Sequence, residues 1–277
     1  MHPNTAQPAP SAAIGDWTGG QITEHAHCLL QGNPGPMTLD GTNTWVLLAP
    51  GASEAIVIDP GEDERAHQQR IVDHVTALGA RVGQIVLSHG HFDHSGGVPN
   101  LVELTGAPVR AVGRGHDDIG DGDRILAPGI ELRAVTTPGH TTDSVSFVLE
   151  ADHALFSGDT VLGRGTTVVA HPDGDLEHYL ASLDRLHELT GRGPVTSILP
   201  GHGPTIFEAE AMVAFYRVHR DERLQQVRDA LAGGARGLEA VLAIVYHDVP
   251  PQVLPAARLS LMAQLTYLKA RGVETGE

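Results

Sequence analysis

Cysteine, lysine and aromatic residues are all scarce in this chain of 277 residues, and so are cations as a class. A single cysteine, Cys28, excludes an internal disulfide framework and any cysteine-rich structural zinc site. Lys269 is the only lysine, and 18 Lys+Arg against 34 Asp+Glu leave a formal net charge of −16. That balance argues against a generic basic nucleic-acid coat and against anionic membranes, while leaving room for a local basic groove. No window approaches the roughly 18 apolar residues of a membrane span. The opening MHPNTAQPAPSAAIGDWTGG lacks the basic start and apolar stretch of an export signal. With the lone thiol, this reads as a cytoplasmic protein. What the chain does have is 17 histidines, and imidazole is the commonest side-chain metal ligand and general base.

The length suits one large domain, or one domain plus a small appendage. Residues 1–20, rich in Pro, Ala and Gly, read as a loosely held arm, and residues 21–206 as the main domain. Within it, 55–61, 84–89, 108–112, 130–140, 144–150, 153–159 and 196–202 carry β-branched and apolar runs expected to form strands. Helical spacing predicts a helix over 64–78, with Ala66, Ile71, Val75 and Leu78 inward. A second carries Leu176, Tyr179, Leu180, Leu183, Leu186 and Leu189. Strand runs broken by occasional helices, without strict alternation, favour layered sheets flanked by helices. Residues 207–277 change character. Helical patterns at 207–231, 237–247 and 252–271, separated by Gly233-Gly234 and Pro250-Pro251, form a small helical module.

The strongest signal is Ser88-His89-Gly90-His91-Phe92-Asp93-His94-Ser95-Gly96-Gly97, placed where the apolar run Ile85-Val86-Leu87 ends. His89 and His91 alternate as along an extended chain and can face one way, while Asp93 and His94 turn toward a neighbouring position. One ion cannot easily take all four donors from so short a segment, so two adjacent ions are expected. Pro138-Gly139-His140, Gly158-Asp159-Thr160 and Gly201-His202-Gly203 end three later strands in the same way, each ligand type beside glycine. Five imidazoles and two carboxylates without thiolate suit Zn²⁺ first, with Mn²⁺ or Fe²⁺ as alternatives. Asp59, at the end of AIVIDPG, is read either as a turn residue or as a partner for a ligating histidine.

The HxHxDH run with its trailing SGG, then PGH, SGDT and PGHG in order, resembles the metallo-β-lactamase superfamily over about residues 21–204. The resemblance implies an α/β fold, an αββα sandwich with a dinuclear site at one edge of its two sheets. It assigns His89, His91 and His140 to one ion and Asp93, His94 and His202 to the other, with Asp159 bridging. It further implies a hydrolase working through a metal-bridging hydroxide, which Asp93 would help to orient as the catalytic carboxylate. Gly41-Thr42-Asn43-Thr44-Trp45, Gly163-Arg164-Gly165-Thr166-Thr167 and the C-terminal helices resemble the β-lactamase-like protein 2 branch. That branch has a C-terminal winged-helix-like domain and includes a single-strand-specific endoribonuclease. Here any wing hairpin is short or missing, since the last helix runs into Gly272-Val273-Glu274.

The expected substrate is therefore a short single-stranded RNA or a small ester or thioester, the latter in the manner of a glyoxalase II-like thioester hydrolase. Residues 1–204 carry 10 Arg against 25 Asp+Glu, which tempers the RNA reading; residues 205–277 carry 8 basic and 9 acidic residues. Arg258, Lys269 and Arg271 are the RNA-facing candidates there, against a role in capping and solvating the helices. Asn43, Arg164 and His171 are candidate substrate residues, against a turn role in GTNT for Asn43 and a salt-bridged loop role for Arg164; His171, in the loop between Asp159 and the second helix, is a candidate for lining the substrate cleft. A module that binds nucleic acid or protein without catalysis is the non-enzyme alternative. No membrane partner is expected, and the sequence leaves the oligomeric state open. Cys28 reads as a small core residue.

Overall fold

The computed structural model describes residues 16–276, so most of the arm expected at 1–20 lies outside the described residues. Among the described residues, twelve strands form two sheets. The first runs β1 (Gly20–Gln21), β2 (Ala26–Leu30), β3 (Asn43–Leu47), β4 (Glu54–Ile58), β5 (Arg81–Val86), β6 (Val109–Ala111), β7 (Asp117–Asp118), in that spatial order. Pairing in it is antiparallel as far as β4 and parallel beyond. The second sheet holds β8 (Arg124–Ala127), β9 (Ile130–Thr136), β10 (Val145–Leu149), β11 (Ala154–Gly158) and β12 (Ser197–Pro200), ordered β12-β11-β10-β9-β8.

The period-2 pattern of the strands builds the layers. Ile56 and Ile58 of β4, Phe147 of β10 and Phe156 of β11 point into the space between the sheets, where Trp45 meets Phe156 edge-on at 5.6 Å. Their neighbours Val57, Val148 and Leu155 point outward and are covered by helices. Outside the first sheet lie α1 (Arg65–Ala77), the single turn α2 (Phe92–Ser95) and α3 (Val98–Thr105). Outside the second lies α4 (Leu176–Gly191), packed on α5 (Ala209–Ala232), with α6 (Leu238–Val245) and α7 (Leu254–Lys269) behind. The result is a helix–sheet–sheet–helix sandwich with a helical C-terminal module. No strand follows β12 among the described residues, and none of their helices is long and apolar enough to cross a membrane.

Three local expectations need correction. In α1, Ala66 and Leu78 are exposed, and the buried face is His67, Gln68, Ile71 and Val75. Polar side chains displace the apolar stripe there because they bond to the chain around Asp59, as described below. β2 and β3 lie where no strand was expected. β3 is buried on both faces, so it lacks the alternation that marks a half-exposed strand. Finally α3, eight residues with a proline in its first turn, is too short for a periodicity to register.

Candidate metal centre

Four strands, β5, β9, β11 and β12, bring the donor residues to one edge of the sandwich. Past β5 the chain continues Leu87-Ser88-His89-Gly90-His91, and α2 then closes one turn through His94 N–H to the His91 carbonyl at 3.0 Å. That turn swings Asp93 and His94 toward the loops following β11 and β12. His140 follows β9, Asp159 follows β11, and His202 sits at the tip of the turn after β12. The two sheets are laced together beside the site by Val145 N–H to the Ser88 carbonyl (2.8 Å) and Asn43 N–H to the Gly201 carbonyl (2.8 Å).

All seven expected donors converge. His91 Nδ1 lies 3.0 Å from His89 Nε2 and 3.1 Å from His140 Nε2. Beside this triad, His202 Nε2 lies 3.2 Å from His94 Nε2 and 3.1 Å from Asp93 Oδ2. Asp159 stands between them, with Oδ1 3.4 Å from His94 and Oδ2 3.7 Å from His140 and 3.5 Å from His202. Bonds of about 2.0–2.1 Å around a tetrahedral ion set neighbouring nitrogens roughly 3.3 Å apart, so both triads have the spread of a zinc coordination sphere. Asp159 Oδ1 is buried without a hydrogen-bond partner, a costly arrangement for a carboxylate oxygen unless a cation faces it. The donors fit a pair of divalent ions.

The nitrogen that each buried imidazole turns away from the cluster is held. His94 Nδ1 donates to Asp59 Oδ2 at 2.9 Å, His140 Nδ1 to the Val168 carbonyl at 2.8 Å, and His202 Nδ1 to the Gly41 carbonyl at 3.1 Å. His89 Nδ1 lies 3.0 Å from Ser88 Oγ, which itself donates to Asp59 Oδ2 at 2.6 Å. Such partners fix the tautomer and ring orientation of a ligating histidine. Asp59 is the hub of this support. It sits at a left-handed φ of 53°, a conformation that Asp tolerates better than most residues. Its Oδ1 also takes the Ser88 N–H at 2.7 Å. Of the two readings of Asp59, the histidine partner is the one this geometry carries.

Charge is unevenly shared. Burial, the largest influence on the rings of His89 and His140, holds both below the ordinary histidine range, and their neutral form is the one that offers a lone pair. Burial also opposes a charged His94, but Asp159 and Asp59 outweigh it and hold its pKa well above the usual value. For His202 likewise, Asp159 and the hydrogen bond to Asp93 overcome burial and raise the pKa. Burial would raise the Asp159 carboxyl, yet the charges of His202 and His94 bring it well below the ordinary carboxylate range.

The remaining candidates sit away from the donors. Asn43 is fully buried. Its Nδ2 donates to the Pro200 (2.9 Å) and Gly203 (2.8 Å) carbonyls, while its Oδ1 accepts from Trp17 (2.8 Å) and Cys28 (3.3 Å). With its carboxamide fully engaged, it braces the turn that carries His202. Arg164 is buried in an ion pair with Asp40. His171 lies against α7, lining a cavity of about 80 Å³ with Leu176, Thr266 and Tyr267. In the C-terminal module, Arg258 pairs with Glu239, and Arg271 pairs with Glu177 (3.1 Å) while lying over the Tyr267 ring. Ser88, Val168 and Gly41 were invisible in the sequence as supports. Only the spacing of Asp59 to a strand end hinted at this layer.

The metallo-beta-lactamase superfamily model matches residues 37–123 and 111–202, and the model of the beta-lactamase associated winged helix domain matches residues 238–273. The lactamase-like protein vrtG of Penicillium aethiopicum is 34% identical over 275 residues, covering 93% of this chain and 86% of its own. An atrochrysone carboxyl ACP thioesterase of Aspergillus fumigatus is 35% identical, over 90% of this chain and 82% of its own. A beta-lactamase-like protein 2 homolog of Caenorhabditis elegans is 35% identical, over 72% and 68% respectively. The fold is shared with a beta-lactamase domain protein from Burkholderia ambifaria, at a TM-score of 0.77 and 24% identity over 97% of this chain and 93% of that one. Matched across the sandwich and again in its C-terminal helices, the chain belongs to the metallo-β-lactamase superfamily of hydrolases and carries that superfamily's associated winged-helix domain.

Proposed function

We propose that this enzyme is a dinuclear zinc hydrolase of acyl thioesters. In it His89, His91 and His140 would hold one ion and Asp93, His94 and His202 the other, with Asp159 between the two triads. The observation that carries the reading is the pair of donor triads with Asp159 between them and the outer nitrogen of every buried imidazole held. Mn²⁺ or Fe²⁺ are the alternative occupants. Bound there, such ions supply a water acidic enough to ionise near neutral pH and a Lewis acid for the substrate's carbonyl oxygen.

The chain's own groups do the rest. Asp93 is 23% exposed, the most open carboxylate of the cluster, and its pKa lies below the ordinary carboxylate value in spite of burial. It is the group placed to accept a hydrogen bond from the attacking water and orient it. Residues 21–206 form the catalytic domain in this reading, and 207–277 the appended module. The lone buried Cys28 suits a cytoplasmic location.

A thioester is preferred to an RNA backbone because phosphate contacts need cations. Arg164 and Arg114 are paired with Asp40 and Asp143, and Arg258 and Arg271 in the module are also ion-paired. Similarity to a named thioesterase over 90% of the chain favours the same class. Short single-stranded RNA is the second reading, supported by the winged-helix domain match and the likeness to the Caenorhabditis elegans protein. Parallel assays with S-lactoylglutathione, a fluorogenic single-stranded RNA and a chromogenic β-lactam test the choice. Thioester turnover that disappears in Asp93→Ala supports the proposal. Turnover of RNA alone selects the second reading. Metal analysis giving well below one equivalent, with no activation by Zn²⁺ or Mn²⁺, overturns the metal chemistry.

A further inference from the structure

Arg220 lies on α5, in the helical region that follows the sandwich, yet only 6% of it is exposed. Its guanidinium lies over the Tyr179 ring at 4.9 Å, and Nη2 donates to the carbonyl of Thr167. Its Nε is buried and makes no hydrogen bond. Burying a guanidinium is costly, and a straight apolar side chain would pack in the same place, so its polar contacts call for a role. One helical turn earlier, Tyr216 Oη accepts the Leu162 N–H at 2.8 Å. Two buried side chains of α5, at i and i+4, thus grip the segment that follows Asp159 near both its ends.

That segment touches the donor cluster twice. Thr167 Oγ1 donates to the Asp159 carbonyl at 2.7 Å, and the next carbonyl, that of Val168, receives the Nδ1–H of His140 at 2.8 Å. The peptide Arg220 holds is therefore contiguous with the one that orients His140. Its residue also ties down the backbone of Asp159. We propose that Arg220 is a positioning residue for the metal centre, with α5 setting the orientation of His140 and Asp159 through the 160–168 segment. The proposal rests on the metal reading above and assigns the C-terminal region a part in building the site, separate from any binding role.

The test is zinc affinity, measured on full-length protein by competition with a chromophoric chelator, alongside thermal unfolding of the metal-free form. Arg220→Met is expected to bind the more weakly held zinc about 10-fold less tightly, within the range for outer-layer supports of metal ligands. Arg220→Lys should recover part of the loss. The control is Arg223→Met, also on α5. Arg223 lies over Tyr246 at 4.6 Å and donates to the Val245 carbonyl, contacts confined to the C-terminal helices. It should lower the unfolding temperature without moving zinc affinity. Wild-type zinc affinity in Arg220→Met, or an equal loss in Arg223→Met, overturns the proposal. Should Arg220→Met not fold, Tyr216→Phe decides by the same readout, since it removes one grip on the segment with little change of shape, and unchanged affinity overturns the proposal. A wild-type protein that binds no zinc overturns the metal reading and the relay with it.

Discussion

Asp59 and His94, 35 residues apart, meet in a buried hydrogen bond of 2.9 Å between Oδ2 and Nδ1. The same carboxylate holds the backbone and hydroxyl of Ser88, and through Ser88 Oγ it reaches His89. One side chain therefore sets imidazoles in both donor triads. It does so from the end of β4, whose parallel neighbour β5 leads into the His89–His94 run. A second chain of bonds holds Asp59 from behind: its carbonyl accepts from Thr44 Oγ1 at 2.7 Å, and Thr44 Oγ1 lies 2.9 Å from His67 Nε2.

Replacing this hub should be felt at the metals before it is felt in the fold. Asp59→Asn keeps the shape but replaces one acceptor oxygen by an NH₂ group, so it cannot receive all three donors. Outer-shell substitutions of this kind typically reduce metal affinity or activity about 10–100-fold. We expect zinc affinity to fall within that range, measured by chelator competition, with secondary structure unchanged by circular dichroism. An Asp59→Asn protein that binds two zinc ions at wild-type affinity would show that the hub is structural only.

Gly201 tests the packing of the same cluster. A Cβ placed there would stand 2.5 Å from Asp159 Oδ1 and 2.7 Å from His94 Cε1, closer than real contacts allow. One of the two donors must move. Displacements near 1 Å at a reacting centre cost on the order of 100-fold. Gly201→Ala should therefore lose about that factor in kcat/KM while remaining folded. Activity within a factor of two of wild type would mean that the turn after β12 yields instead.

Cys28 is the opposite case, a polar atom with no chemistry to perform. It is 1% exposed, and burial, the main influence on it, pushes its thiol pKa far above the ordinary range. The thiolate is the reactive form, so the native protein should not react with a disulfide reagent over an hour at pH 8 and should release one equivalent after denaturation. Rapid labelling of the native state would contradict this burial.

The seven candidate donors stood out in the sequence because their position is a local matter: His89 to His94 lie just past one apolar run, and His140, Asp159 and His202 each end a later one beside glycine. Their supports did not. Val168 and Gly41 contribute main-chain carbonyls, which any residue type supplies, and Ser88 and Arg220 act through contacts 29 and 53 residues away in sequence. Asn43 and Arg164 drew attention by lying in family-like motifs, yet both are enclosed by partners that only the fold brings close. In α1, Ala66 and Leu78 fit the helical period but face solvent. His67 and Gln68 take the interior because they serve the Asp59 loop, Gln68 Nε2 donating to the Pro60 carbonyl at 2.8 Å. Where helical period and site support competed for one face, the support won.

That substitution of polar for apolar residues has a pH signature. Burial, aided by the charge of Arg70, lowers the His67 pKa from 6.5 to about 4, and its ring is 3% exposed. The unfolded chain therefore takes up a proton at His67 near pH 6.5, and the folded protein resists doing so until about pH 4. The sign follows: stability from this group is intact above pH 6.5 and is lost as pH falls toward 4. At 1.36 kcal/mol per pKa unit, the loss between pH 7.5 and 5 is about 2 kcal/mol. Urea unfolding of wild type and His67→Gln across that range measures it. Wild type should lose about 2 kcal/mol more than the variant over the interval. His219, whose pKa burial and the charges of Arg220 and Arg223 also lower to about 4, titrates in both proteins and cancels in the difference. Parallel curves for the two proteins would show that His67 is protonated as readily in the folded chain as in the unfolded one.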